Sequence, residues 1–125
     1  MRIAVTALTT LFLGIAGAYA AEPAQTATID GQKVYTDTRG MTLYTFDRDS
    51  AGQSNCDGEC ATRWPPFAAE AGASAEGDWT VITRSDGTTM WAYKGKPLYT
   101  YAGDTKAGDA TGDGVGGVWH LATAE

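Results

Sequence analysis

The sequence has a single histidine, His120, and it contains neither a Gly-x-Ser-x-Gly element nor a phosphate-binding loop ending in Gly-Lys-Ser or Gly-Lys-Thr. A Ser–His–Asp triad and a conventional zinc site both need partners that this one histidine does not supply. The missing serine element argues against an α/β-hydrolase, and the missing loop argues against nucleotide hydrolysis. The sequence therefore predicts a non-enzymatic protein and requires no cofactor.

Positive charge is also scarce. Nine Lys and Arg residues stand against fifteen Asp and Glu residues, which gives a formal net charge of −6 at pH 7. Such a charge keeps a protein soluble, and it repels phosphate backbones and anionic lipid. We predict no nucleic-acid partner, and we expect an unknown small-molecule, cationic or protein partner in the cell envelope.

Long apolar runs are absent except in the first twenty residues. Arg2 gives a positive start, an apolar stretch follows, and Ala18-Tyr19-Ala20 is a small-residue cleavage signal. The run is shorter than the roughly 20 residues that a membrane helix needs. The pattern predicts a cleaved signal peptide over residues 1–20 and one mature domain over residues 21–125, without a transmembrane segment. The protein is then periplasmic or extracellular.

Leu and Lys are sparse after the apolar run, whereas the chain has sixteen glycines together with many Thr, Tyr and Trp residues. This composition favours short strands joined by tight turns. We therefore predict an all-β fold, a small sandwich or a barrel-like antiparallel sheet.

The chain repeats itself at an offset of 55 residues. "LYTFDRD" (43–49) falls on "LYTYAGD" (98–104), and Trp64 falls on Trp119 with no gap. "KVYTDTRG" faces "TTMWAYKG", and each copy alternates with period two around a turn, as a β-hairpin does. We predict two hairpin-containing repeats, about 33–67 and 88–122, with further strands at 78–84 and 117–122. Trp64 is expected to be a structural anchor, because it has a repeat partner.

Cys56 and Cys60 are the only cysteines, and Asp57-Gly58 between them favours a turn. In an exported protein two cysteines usually form a structural disulfide. A redox-active pair and a soft-metal site completed by His120 or a methionine are the alternatives.

The glycine-rich stretch 102–117 contains several aspartates that offer oxygen ligands. "DATGDG" (109–114) resembles the first half of a calcium loop, but an EF-hand would need Glu at its twelfth position, where this chain has His120. The alternative function is therefore metal binding, either of calcium at the Asp-rich loop or of copper or zinc through Cys, Met and His. The candidate ligands are Asp104, Asp109, Asp113 and His120.

The duplicated phrase itself supports two hypotheses. In one, an aspartate at each strand exit bonds backbone N–H groups and fixes the next turn. In the other, the phrase forms an aromatic and acidic surface for a cationic or planar ligand. The candidate binding residues are Tyr44, Phe46, Asp49, Tyr99, Tyr101 and Asp104.

Residues 44–49 and 99–104 both match a Tyr-x-aromatic-x-x-Asp signature. With "CDGECATRWPPF", "GKPLY" and "GGVWHL", they make nearly the whole mature chain resemble a bacterial family of predicted secreted lipoproteins, also described as a secreted repeat of unknown function. The resemblance implies export. This chain differs from the lipoprotein members because it lacks a lipid-attachment cysteine at the cleavage point, and we therefore expect a soluble exported protein.

Overall fold

Short strands account for most of the regular structure in the computed structural model, which describes residues 22–124. The predicted signal peptide lies outside these residues. The strands are β1 Gln25–Ile29, β2 Gln32–Thr36, β3 Tyr44–Phe46, β4 Trp79–Thr83, β5 Thr89–Tyr93, β6 Lys96–Pro97 and β7 Trp119–Leu121. Among residues 22–124, the helical segments are one helix, α1 Glu59–Arg63, and one 3-10 turn, Val115–Gly117.

The strands form antiparallel sheets in the order β1-β2, β3-β7 and β4-β5-β6. Single bridges tie the strands to neighbouring segments, among them Val34 in β2 to Thr123, which follows β7, and Met90 in β5 to Ala68, which follows α1. The predicted all-β, antiparallel class is confirmed, and β4 and β7 lie within the strands predicted at 78–84 and 117–122.

Backbone hydrogen bonds close a ring of three chain segments at two places in the fold. The Tyr35 N–H donates to the Ala122 carbonyl at 2.9 Å, Ala122 donates to Leu43 at 2.9 Å, and Leu43 donates back to Tyr35 at 3.0 Å. The second ring runs in the same order through Trp91, Phe67 and Leu98, at 2.9, 2.9 and 3.1 Å. Each ring takes two segments from one repeat and the third from the other, so the repeats interlock.

The repeats meet at a local twofold axis. Tyr44 and Tyr99, which are equivalent at the 55-residue offset, pair with each other. The Tyr44 N–H donates to the Tyr99 carbonyl at 2.7 Å, and the Tyr99 N–H donates to the Tyr44 carbonyl at 3.0 Å. The duplication detected in the sequence is therefore a duplication of structure as well.

The ungapped alignment is wrong for the first strand of each hairpin. It sets Tyr35 against Met90, but the hydrogen-bonded rings make Tyr35 equivalent to Trp91, an offset of 56. The turn after β2 is one residue longer than the turn after β5. The Asp37 carboxylate stabilises that longer turn by accepting the N–H groups of Arg39 at 2.8 Å and Met41 at 3.0 Å.

Strand β1 was not predicted, because repeat 1 was expected to begin at about residue 33. β1 pairs with β2 through a two-residue turn, Asp30-Gly31, whose φ angles are 50° and 80°. Positive φ at both turn residues is typical of tight hairpins, and Asp-Gly is a strong sequence signal for them. β1 is the counterpart of β4, so each repeat begins one strand earlier than predicted.

The alternation of side chains at the start of β3 separates two hydrophobic clusters. Tyr44 belongs to a cluster around Trp64, Tyr99 and Trp119. Its neighbour Leu43 belongs to a second cluster, which contains Tyr35, Trp79 and Leu98. Leu43, Tyr44, Leu98 and Tyr99 are all 0% exposed, so the duplicated phrase supplies the centre of the core.

Candidate functional site

Four aromatic rings form one continuous stack across the local twofold axis. Trp64 and Trp119 lie at its centre, with ring centroids 3.8 Å apart and planes 2° apart. Phe46 stacks on Trp119 at 4.2 Å, and Tyr101 stacks on Trp64 at 4.1 Å. Both tryptophans are 4% exposed, which confirms the prediction that Trp64 is a structural anchor. Each stacked pair contributes about 0.5–1.5 kcal/mol beyond its buried area.

The tyrosine of repeat 1 completes the aspartate turn of repeat 2. The Tyr44 hydroxyl donates to Asp104 Oδ2 at 2.7 Å and accepts the Gly112 N–H at 3.2 Å. The other carboxylate oxygen, Oδ1, accepts the Thr111 N–H at 2.8 Å and the Thr111 hydroxyl at 2.6 Å. We call this set the Asp104 network.

The tyrosine of repeat 2 performs the equivalent task in repeat 1. The Tyr99 hydroxyl donates to Asp49 Oδ2 at 2.7 Å, and Asp49 Oδ1 accepts the Asn55 N–H at 2.6 Å. Ser54 Oγ lies 2.6 Å from the Tyr99 hydroxyl and accepts Arg84 Nη1 at 2.8 Å. Because Arg84 donates to Ser54 and Tyr99 donates to Asp49, the Ser54 proton points to Tyr99. We call this chain from guanidinium to carboxylate the Asp49 network.

Burial controls the protonation of these groups. Burial raises the pKa of Tyr44 and Tyr99 above the ordinary value of 10.0, and their aspartate partners add to the shift. Burial also raises the pKa of Asp49, against the opposing effects of the Asn55 N–H and the Tyr99 hydroxyl. Both tyrosines therefore remain protonated donors at neutral pH.

The structure does not gather the six predicted binding residues into one exposed surface. Tyr44 and Tyr99 are fully buried, and Asp104 is 7% exposed. Phe46, Asp49 and Tyr101 are half-buried. Since Asp49 and Asp104 each accept a backbone N–H of the following loop, the signature braces turns in this fold.

The predicted metal ligands do not form a cluster of three within residues 22–124. The Asp109 carboxylate accepts the N–H groups of Thr105 and Lys106, and these bonds, Thr105 first, lower its pKa. Asp113 is exposed, and His120 Nε2 lies 2.8 Å from Asp47 Oδ2. Across residues 22–124, no three His, Cys, Asp or Glu side chains are close enough to share a metal ion. The metal hypothesis stays a prediction.

The predicted disulfide between Cys56 and Cys60 is present, and Arg84 connects its loop to the core. The Arg84 side chain is 2% exposed and donates from Nη2 to the Cys56 carbonyl at 2.8 Å and to Asp57 Oδ1 at 3.3 Å. Sequence reasoning missed Arg84, since one arginine beside a Ser-Asp-Gly turn looks like an exposed residue.

A cleft lies on the surface where the connection between the repeats runs. Its volume is about 600 Å³. Half-buried Phe67 and Trp91 supply its aromatic surface. Its lining includes three of the five glutamates of the chain, Glu22, Glu70 and Glu76, all of them exposed. Among residues 22–124, no Lys, Arg or His lines it. We call this the acidic cleft.

The acidic cleft was not predicted, because its residues come from unrelated parts of the sequence. The stretch 68–77 has a small-residue, polar composition that is typical of a surface linker. The backbone of that stretch is held near β5 by the Ala69 N–H, which donates to the Thr89 carbonyl at 3.1 Å. The two glutamates on this stretch, Glu70 and Glu76, were the only available signal.

Comparison with family profiles matches both repeats of the chain. The profile of a family described as a secreted repeat of unknown function (Lipoprotein_15) matches residues 26–68 and 80–123, one match for each repeat. Searches of the curated proteins and of the solved structures found no match. Within residues 22–124, no helix has the length and apolar character needed to cross a membrane.

Proposed function

This chain belongs to the family of secreted repeats of unknown function, and from that premise we propose that it is a non-enzymatic binding protein of the cell envelope or exterior. We propose further that its ligand is cationic and binds in the acidic cleft. The observation that carries this proposal is a cleft in which residues 22–124 supply two half-buried aromatic side chains, three carboxylates and no cationic side chain.

The charges of the acidic cleft favour a cation for two physical reasons. Like charges gathered on the walls of a cleft focus the electric field and raise the local concentration of counter-charged ligands. Aromatic faces such as those of Phe67 and Trp91 attract cations, by about 0.5–1 kcal/mol where the site is exposed. Because no three carboxylates of the described chain, residues 22–124, cluster closely enough for a metal ion, an extended organic cation suits the cleft better.

The cleft also lies where the two repeats differ. At the 55-residue offset Phe67 corresponds to Ala122, and the hydrogen-bonded rings make Trp91 equivalent to Tyr35. The linker that carries Glu70 and Glu76 follows repeat 1. Residues that both repeats share maintain the fold, so a feature present in one repeat alone is a better candidate for ligand binding.

Calorimetric titration of the mature protein with spermidine tests the proposal. We expect saturable binding, and we expect E70Q/E76Q to weaken it at least tenfold, which is about 1.4 kcal/mol. E59Q is the matched control, because Glu59 is exposed on α1 and lies outside the cleft. Absence of saturable binding, or equal weakening by E59Q, would contradict the proposal.

A further inference from the structure

A second cavity lies between the two repeats, and among residues 22–124 none lines both this cavity and the acidic cleft. Its volume is about 290 Å³. One wall is the end of β3 and the residues after it, with Phe46, Asp47 and Asp49, and the other wall is the turn 94–97 of repeat 2. The Gly52 N–H donates to the Gly95 carbonyl at 2.8 Å and joins the two walls. We call this the inter-repeat cavity.

The wall from repeat 1 has carboxylate oxygens with remaining acceptor capacity. Each oxygen of Asp49 accepts one hydrogen bond from within the protein, and a carboxylate offers about four acceptor positions. The Asp47 side chain is 53% exposed and lies beside His120. An ammonium group carries three donors, so one such group has acceptors available from both aspartates.

The wall from repeat 2 presents the opposite charge. Lys94 and Lys96 both line the cavity, and Lys96 is exposed. An ammonium group on a flexible stem forms charge-assisted hydrogen bonds with a carboxylate. The side chains of Phe46 and Pro97 supply apolar surface to the same cavity.

Two of the charges in this cavity, those of Asp47 and Lys96, are not part of the repeated scaffold. At the offset of 55 residues, Ala102 stands in the place of Asp47, and Met41 stands in the place of Lys96. Because repeat 2 forms the same turn without Asp47, and repeat 1 forms its hairpin without Lys96, neither charge is needed for the shared fold.

From these walls we infer that the inter-repeat cavity binds a small zwitterion with an apolar side chain, a free amino acid or a dipeptide. The ligand ammonium lies against Asp47 and Asp49, its carboxylate lies against Lys96, and its side chain packs on Phe46. The volume is close to the lower limit of about 300 Å³ for ligand pockets, which suits a ligand of this size.

Calorimetric titration with leucine, with leucyl-alanine and with the amide of leucyl-alanine tests this inference. The better of the two free ligands identifies an amino-acid or a dipeptide site. We expect the amide to bind at least tenfold more weakly than the free dipeptide. K96Q should weaken the binding of the free dipeptide by a similar factor. It should leave the affinity for the amide unchanged, because the amide has no carboxylate for Lys96 to contact.

The control variant is K33Q, because Lys33 is an exposed lysine on β2 outside the cavity. It should leave the affinity for the dipeptide unchanged. E70Q/E76Q should also leave it unchanged, which separates this inference from the acidic cleft. Absence of saturable binding by both free ligands, equal binding of the free dipeptide and its amide, or equal weakening by K33Q would overturn it.

Discussion

The Asp49 network and the Asp104 network both hold a signature aspartate with a buried tyrosine, but the tyrosine hydroxyl has a different further partner in each. In both, a buried tyrosine from one repeat donates to the aspartate that ends the signature in the other repeat, at 2.7 Å in each case. In the Asp49 network that tyrosine is linked through Ser54 to the buried Arg84. In the Asp104 network it accepts a backbone N–H, that of Gly112.

The difference shows which parts of the duplicated unit are fixed and which are replaceable. The tyrosine and the aspartate are fixed, because each serves the other repeat and neither repeat completes its own turn. The donor to the tyrosine hydroxyl is replaceable. In the Asp49 network this donor is the Ser54 hydroxyl, and Arg84 behind it ties the disulfide loop to the core. In the Asp104 network the donor is the backbone N–H of Gly112. This position lies so close to the Trp64 ring that a Cβ would clash with it.

Breaking the Asp49 network at Arg84 should lower the free energy of unfolding more than any other change considered. R84M removes the buried guanidinium and leaves Ser54 and the Cys56 carbonyl without their donor, and we expect a loss of about 3 kcal/mol in the free energy of unfolding. The measurement is urea denaturation at pH 7. R39M is the control, since the Arg39 side chain is 83% exposed, and an exposed pair contributes up to about 1 kcal/mol. Equal losses for the two variants would show that Arg84 is not a buried support.

Disturbing the Asp104 network at Gly112 should lower the free energy of unfolding by less than R84M does. A Cβ at this position would lie 2.7 Å from the ring of Trp64 and 3.0 Å from that of Tyr101. Moving those rings is an overpacking cost of about 1–3 kcal/mol, so we expect G112A to lower the free energy of unfolding by that amount.

Comparing G112A with S54A sharpens the contrast between the two networks. S54A removes one hydroxyl from the Asp49 network and adds no atom to the aromatic stack, so its expected cost is about 1 kcal/mol. Urea denaturation measures both variants. If G112A left the free energy of unfolding unchanged, it would contradict the claim that position 112 must be glycine because it lies against Trp64.

Much of the fold was predictable from the sequence, because the repeat signal and the strand signal agree. The strand predicted at 78–84 is present as β4, and the offset of Trp64 and Trp119 predicted equivalent roles, which the central pair of the aromatic stack confirms. β1 was missed because its apolar pattern is weak, although the Asp30-Gly31 turn and the counterpart β4 both pointed to it. The one-residue difference between the turns after β2 and β5 was hidden by the ungapped alignment.

The candidate site was less predictable than the fold. Sequence showed that Tyr44, Asp49, Tyr99 and Asp104 belong together, but it did not show that each tyrosine bonds the aspartate of the other repeat. That exchange depends on the pairing of Tyr44 with Tyr99 at the local twofold axis, which is a tertiary contact. The two cavities also combine segments from distant parts of the chain, and no local pattern reports such a combination.

A pair of double-mutant cycles tests most directly the claim that each repeat completes the other. The first cycle combines Y44F with D104N, partners across the repeats, and the second combines Y44F with D49N, which lie in the same copy of the signature. We predict a coupling energy of about 1–2 kcal/mol for the first pair. For the second pair we predict less than about 0.5 kcal/mol. Stronger coupling within one copy than across the two copies would contradict this account.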